Sequence, residues 1–353
     1  MTRNRIAMSI VAAVVLLQAG CTKEEVSPSQ ASPAGTKNNV KATNLIFPFI
    51  EKWIQASTPT PAMRKYAIGF ALGTKGYMGG GEGYFPGQDP NYAQTMNDFW
   101  EYDPAGNTWT QRADMLFPLE RAATFVIGTR GFVCTGQSFT STQMTLSNAL
   151  YMYDQASNTW HQRSSLPASS RCDAVGLNIG DSGYVGTGSP LTTANYRDWW
   201  LYDPRTDHWT QRASMPGTFG RAMASSFSIG QYGFVACGEV YASAYDTALW
   251  MYSPAINRWT RKANLPASSR YYATGFNYGS YGALTCGEFG GYLNDFWYYD
   301  LNTDTWHSDL SMGGGARSKA VGFAINGIPY VGTGETNPYN YLSDFWYLAY
   351  VKL

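Results

Sequence analysis

Histidine is nearly absent from this chain: His161, His208 and His307 are the only three in 353 residues. Each adjoins a Trp (Trp160, Trp209, Trp306) at the same place in a repeated pattern, so the three imidazoles occupy separate positions and do not converge. Imidazole-held copper needs such ligands brought to one point. An excess of either charge is also missing. Lys and Arg number 25, as do Asp and Glu, and removing residues 1–20 takes away only Arg3 and Arg5, leaving 23 against 25. That balance is no footprint for nucleic acid and gives no reason to expect an anionic membrane surface as partner. No cysteine pair has CxxC or zinc-ligand spacing. Cys134, Cys237 and Cys286 stand where other repeats carry Gly or Thr, so they and Cys172 read as small core residues. There is no Gly-x-Ser-x-Gly elbow, phosphate loop or Asp-x-Asp-x-Asp-Gly calcium loop, and no long helical period after residue 50. The sequence implies no metal, no cofactor and no nameable catalytic residue.

What is present is a repeat. Trp is followed 11 or 12 residues later by Arg six times: Trp53/Arg64, Trp109/Arg121, Trp160/Arg171, Trp209/Arg221, Trp259/Arg270 and Trp306/Arg317. A fixed period of roughly 50 residues signals a repeat architecture. Each unit opens at the Arg with an apolar run, as in Arg64 to Gly69 or Arg317 to Gly322. A turn leads to a second run ending in small residues (Tyr77 to Gly81, Tyr184 to Gly188, Tyr330 to Gly334). After a loop of variable length comes an aromatic run such as Asp98-Phe99-Trp100-Glu101-Tyr102-Asp103-Pro104, with a Trp nine residues beyond its own aromatic (Trp100/Trp109, Trp200/Trp209, Trp297/Trp306). Short aromatic and β-branched runs cut by Gly, Pro and Asn read as strands. Four strands per unit, repeated radially, is the propeller solution to exposed sheet edges.

These residues resemble the kelch family, in which a small-residue pair closes strand two, a Tyr-Asp follows and a Trp lies in strand four. The resemblance covers about residues 47–353 and is similar to exported kelch proteins of Bacteroidetes-like bacteria. It implies an all-β, six-bladed propeller. Trp346 corresponds to Trp297, so its strand-four Trp would fall beyond Leu353, while Trp53 has no strand three before it. Residues 50–56 are therefore expected to supply the outer strand of the last blade and close the ring, giving a monomeric propeller over 45–353. The kelch resemblance also extends to galactose oxidase, whose copper ligands face the ring axis. The three His here lie on outermost strands, which argues against that chemistry.

Residues 1–20 read as a signal peptide, with Arg3 and Arg5 before an apolar stretch from Ile6 to Leu17 that is too short to span a membrane. Leu17-Gln18-Ala19-Gly20-Cys21 resembles a lipobox, with Cys21 as the lipidated residue. Residues 21–44 fit a flexible tether. The expectation is a protein outside the cytoplasm, lipid-anchored to the outer membrane and touching the membrane only through that anchor.

Strand one starts and strand two ends on one face, termed here the upper face. The Args (Arg64, Arg121, Arg171, Arg221, Arg270, Arg317) are expected there near the axis. The residues after each strand-two Gly join them: Glu82, Gln137, Ser189, Glu239, Glu288 and Glu335. This rim reads either as ion pairs that fix neighbouring blades or as a polar pocket for a carboxylate or sugar hydroxyls. Loops on the same face carry Tyr84, Tyr92, Tyr241, Tyr292 and Tyr339, with small polar residues between, a composition suited to binding. The leading expectation is a non-enzymatic module for a glycan or an envelope protein. Some bacterial kelch propellers interconvert sialic-acid anomers, so the resemblance also implies a mutarotase reading, in which a Glu and an Arg would act. A structural scaffold is the third.

Overall fold

The aromatic runs form strands because alternate side chains meet different neighbours. In the run Ile68–Leu72, buried and half-buried residues alternate, while Lys75–Gly79 is buried on both faces. The computed structural model describes residues 49–58, 62–139, 143–192, 194–241 and 244–352. The leader, the tether and Cys21 lie outside them.

Six four-stranded antiparallel sheets are seen among the described residues. The first runs Ile68–Leu72, Lys75–Gly79, Phe99–Asp103 and Thr108–Gln111, from innermost to outermost strand. The inner strands of the others are Ala123–Ile127, Val175–Ile179, Ser225–Ile229, Thr274–Tyr278 and Val321–Ile325. The outer strand of the sixth sheet is Phe49–Gln55, paired with Phe345–Lys352 so that Trp53 lies opposite Leu348. The N-terminal segment thus completes the sheet made by the C-terminal one.

A ring of backbone hydrogen bonds runs round the axis on the upper face. Tyr66 N–H donates to Lys319 O, Arg121 to Tyr66, Asp173 to Arg121, Met223 to Asp173, Tyr272 to Met223 and Lys319 to Tyr272, over 3.0–3.3 Å. The sixth bond returns to the start. All six residues have left-handed backbone angles, φ 51–58°, an unusual conformation for non-glycine residues.

The repeated Trp locks each sheet to the one before it. Trp160, Trp209, Trp259 and Trp306 donate Nε1–H to Ala113, Ser164, Ala213 and Ala263 carbonyls (2.7–2.9 Å), and Trp53 and Trp109 donate to Leu310 and Ser57. Aromatic clusters fill the space between sheets: Phe99 meets Tyr153 and Trp160 edge-on at 4.8 and 4.9 Å. Such pairs add about 0.5–1.5 kcal/mol beyond the area they bury. Cys134, Cys172, Cys237 and Cys286 are buried thiols. Their packing matches the expected role as small core residues.

Candidate functional site

Five of the expected rim arginines are buried fasteners. Arg317 Nη1 and Nη2 donate to Asp344 Oδ1 and Oδ2 (2.6 and 2.8 Å), and Nη1 also donates to Thr333 O (3.1 Å). Arg64, Arg171, Arg221 and Arg270 make the same two-pronged bond to Asp98, Asp198, Asp246 and Asp295, and each also reaches the carbonyl at the end of strand two. All five are at most 4% exposed. Their role is structural, but it differs from the expected one: Arg, carbonyl and carboxylate belong to the same unit, so the side chains brace one sheet's own loops and do not fix neighbouring blades, and the carboxylate is Asp where Glu was expected.

Arg121 is out of register with them. In the second unit, Leu119 takes the Arg position: its N–H donates to Met96 O and its carbonyl accepts from Gly81 N–H, as Arg317 does with Leu293 and Gly287. The usual Asp is missing there too, since Ala149 precedes Leu150 as Asp344 precedes Phe345. Arg121 lies two residues further on, in the axial ring. Sequence spacing aligned it with the wrong position.

The ring side chains Tyr66, Arg121, Asp173, Met223, Tyr272 and Lys319 meet at the axis. Arg121 Nε donates to Asp173 Oδ1 (2.8 Å) and Nη2 donates to the Tyr272 hydroxyl (2.5 Å). Its guanidinium lies 5.2 Å from the Tyr66 ring, and Lys319 Nζ lies 5.5 Å from both Tyr rings. Burial pushes both phenols well above their usual pKa. A cavity of about 130 Å³ lies at this mouth. An axial channel of about 160 Å³, lined by all six inner strands, runs beside the same alanines.

Around part of the mouth lies a crescent of charge. Lys65 Nζ is 3.1 Å from Glu335 and 3.7 Å from Glu82. Lys319 pairs with Glu335 and, at 3.5 Å, with Glu288. The Tyr341 hydroxyl donates to Glu82 (2.5 Å), Tyr292 to Glu335 (3.2 Å), and Tyr271 and Ser318 to Glu288. Burial alone would raise the Glu288 pKa; the bonds from Ser318, Tyr271 and Lys319 bring it below its usual range. Glu120, which the sequence reading passed over, accepts from Gln137 (2.5 Å) and leaves Oε2 buried without a hydrogen-bond partner. Burial first, then the Glu82 charge, raise its pKa to about 7.

The other side of the upper face is open. A pocket of about 380 Å³ between the third and fourth sheets is lined by Ser189, Leu191, Asn195, Met223, Glu239 and Tyr241, among others. Asn195 Nδ2 donates to Glu239 Oε2 (3.1 Å). Beside it lies a second pocket of about 290 Å³, and near the first loop a groove of about 570 Å³ between Phe85 and Trp100. Among the expected tyrosines, Tyr92, Tyr241 and Tyr339 are exposed on this face, whereas Tyr84 is buried, its hydroxyl donating to Tyr339 O. The crescent thus gathers Glu82, Glu288, Glu335 and Tyr292; Glu239 stands apart from it.

No protein-family model matches the chain, and no curated protein matches it in sequence. Comparison with solved structures finds similar folds. One, described as the structure of YjhT, aligns with a TM-score of 0.67 at 15% identity, covering 83% of this chain and 99% of that one. The likeness is one of propeller fold.

Proposed function

We propose that the chain is a non-enzymatic binding module, working outside the cytoplasm and held to the outer membrane by a lipid on Cys21. Its upper face is offered to a glycan. One observation carries this reading. Among the described residues, most of the exposed large apolar side chains, including Phe85, Tyr92, Phe139, Leu191, Phe219, Tyr241, Phe289 and Tyr339, belong to upper-face loops; Ile50, Ile256, Ile328 and Tyr350 are the exceptions there. Concentrated exposed apolar surface marks interaction sites, and flat rings on a rigid scaffold suit sugar faces. A glycan array and a thermal-shift screen on the purified protein test it. Saturable binding lost on Tyr-to-Ala changes in upper-face loops is the expected result; no response to any glycan moves the assignment to an envelope protein partner.

A second reading, exchange of sugar anomers, draws on Glu120, whose pKa of about 7 suits a general acid or base. Two observations weigh against it: Glu120 is 1% exposed, and Arg121 is engaged by Asp173. Anomer equilibration followed by optical rotation, with Glu120→Gln as the control, decides between the two.

A further inference from the structure

The two pockets between the third and fourth sheets share Ala194 and Asn195, so they are lobes of one groove that starts at Met223 beside the axis and runs outward to Asp198. Tyr241 lines the inner lobe and Phe219 the outer. Their rings stack with centroids 4.2 Å apart and planes 22° from parallel, yet they remain 51% and 46% exposed. Packing against one another has not hidden them, so the pair presents flat apolar surface to solvent along the groove. Polar groups sit beside it at fixed positions. Glu239 and Asn195 are bonded to each other, and Ser189 Oγ accepts the Leu191 N–H (3.0 Å). Leu191 itself has φ 66°, an uncommon conformation for a side chain of this kind, held at the pocket wall.

The charge of the inner lobe is one-sided. Among the described residues its lining contains the Glu239 carboxylate and neither Lys nor Arg. In the outer lobe, the Arg197 guanidinium is bonded to Gly217 O and Asp198 to Arg171. The basic groups near the axis, Lys65, Lys319 and Arg121, are engaged with carboxylates of the crescent or with Asp173. An acidic sugar in the inner lobe would bring its carboxylate against the Glu239 carboxylate, beside a wall that offers Ser, Asn and Tyr as its polar groups.

Resting on the glycan reading above, we infer that this groove is the saccharide site and that its ligand is an oligosaccharide of at least two units whose inner-lobe unit is uncharged. One ring lies in each lobe against the Tyr241–Phe219 platform, with hydroxyls donating to Glu239 and accepting from Asn195. The lobe volumes of about 380 and 290 Å³ together fall within the span of small-molecule sites, roughly 300–1,000 Å³.

The test is calorimetric titration of the purified full protein with neutral oligosaccharides and with uronic- or sialic-acid-bearing counterparts. Neutral ligands are expected to bind, and counterparts acidic in every unit, which must place a carboxylate in the inner lobe, to bind at least severalfold more weakly. Tyr241→Ala and Phe219→Ala are each expected to weaken binding roughly tenfold, as removal of an aromatic anchor does. Glu239→Ala is expected to weaken it as well, and Ile256→Ala, on the opposite face, to leave it unchanged. Melting temperatures equal to that of the unsubstituted protein establish that the variants fold. Neutral-glycan binding that survives the Tyr241→Ala/Phe219→Ala double substitution overturns the groove while leaving the glycan reading standing. A preference for acidic glycans overturns the ligand class. No saccharide binding at all overturns both.

Discussion

Asp344→Ala should be among the most damaging single changes in the protein, although Asp344 is not itself deeply buried. Its side chain is 22% exposed, but its partner Arg317 is fully buried. Removing the carboxylate leaves a guanidinium with carbonyl contacts at Thr333 and Gly314 and no counter-charge. Breaking such a pair from one side costs about 3–5 kcal/mol, most of it the penalty of an uncompensated buried charge. In a domain of more than 200 residues about 2 °C of melting temperature goes with each kcal/mol, so a fall of about 6–10 °C is expected. The second unit shows the alternative, with Leu119 and Ala149 in place of the Arg and Asp. The double substitution Arg317→Leu/Asp344→Ala copies that unit and leaves no stranded charge. It should recover about half or more of the loss, which a double-mutant cycle reads directly. Thermal and urea unfolding of the three variants are the assays. If Asp344→Ala melts with the unsubstituted protein, or if the double variant is no better than the single, the fastener argument is wrong.

Other consequences follow from the same geometry. Deleting residues 45–57 removes Trp53 and the outer strand of the sixth sheet, exposing the edge of Phe345–Lys352; the truncated protein should unfold at a clearly lower temperature, and an unchanged melt would refute closure by that strand. Gly334 has φ 93°, and a Cβ there would lie 2.5 Å from Ser318 O, so Gly334→Ala should destabilise by more than about 1 kcal/mol in urea titration; a neutral result would contradict the close approach. Glu120 ionises near 7 when folded, against 4.5 ordinarily. The folded state therefore holds the extra proton, and the stability this gives is full below about pH 4.5 and lost as pH rises through 7. Glu120→Gln should flatten that part of the stability–pH curve; the same slope in both proteins would sink the assignment.

Strand order and pairing were legible because they depend on local pattern. The nine-residue step from Trp100 to Trp109 places the two on adjacent antiparallel strands, and the orphaned Trp53 pointed to the strand that pairs with Phe345–Lys352. The fasteners were half legible. Their Args recur visibly, but each Asp lies 25–34 residues away across a loop of changing length, so no fixed spacing reveals the partner. Arg121 was misplaced because the link from outer strand to next inner strand varies in length. Trp109 to Leu119 is ten residues and Trp209 to Arg221 twelve. A signal was available: the other five Args are followed three residues later by Ala (Ala67, Ala174, Ala224, Ala273, Ala320), and Arg121 is followed by Ala at once. The second unit's shortfall of two residues between Arg121 and Phe132 is the same shift. The axial residues Tyr66, Tyr272 and Lys319 had no common residue type to mark them; only their backbone position unites them, and Glu120, one residue before that ring, has no residue type in common with its counterparts Cys172, Tyr271 and Ser318.

Hydrogen exchange with and without a glycan selected from the array tests the central claim most directly. The account predicts slowed exchange in upper-face segments, foremost around residues 189–192, 194–197, 217–222, 239–241 and 244–245, with no change in the lower turns near Asn107, Asn158 and Asn257. Protection confined to those lower turns or to the outermost strands would contradict it.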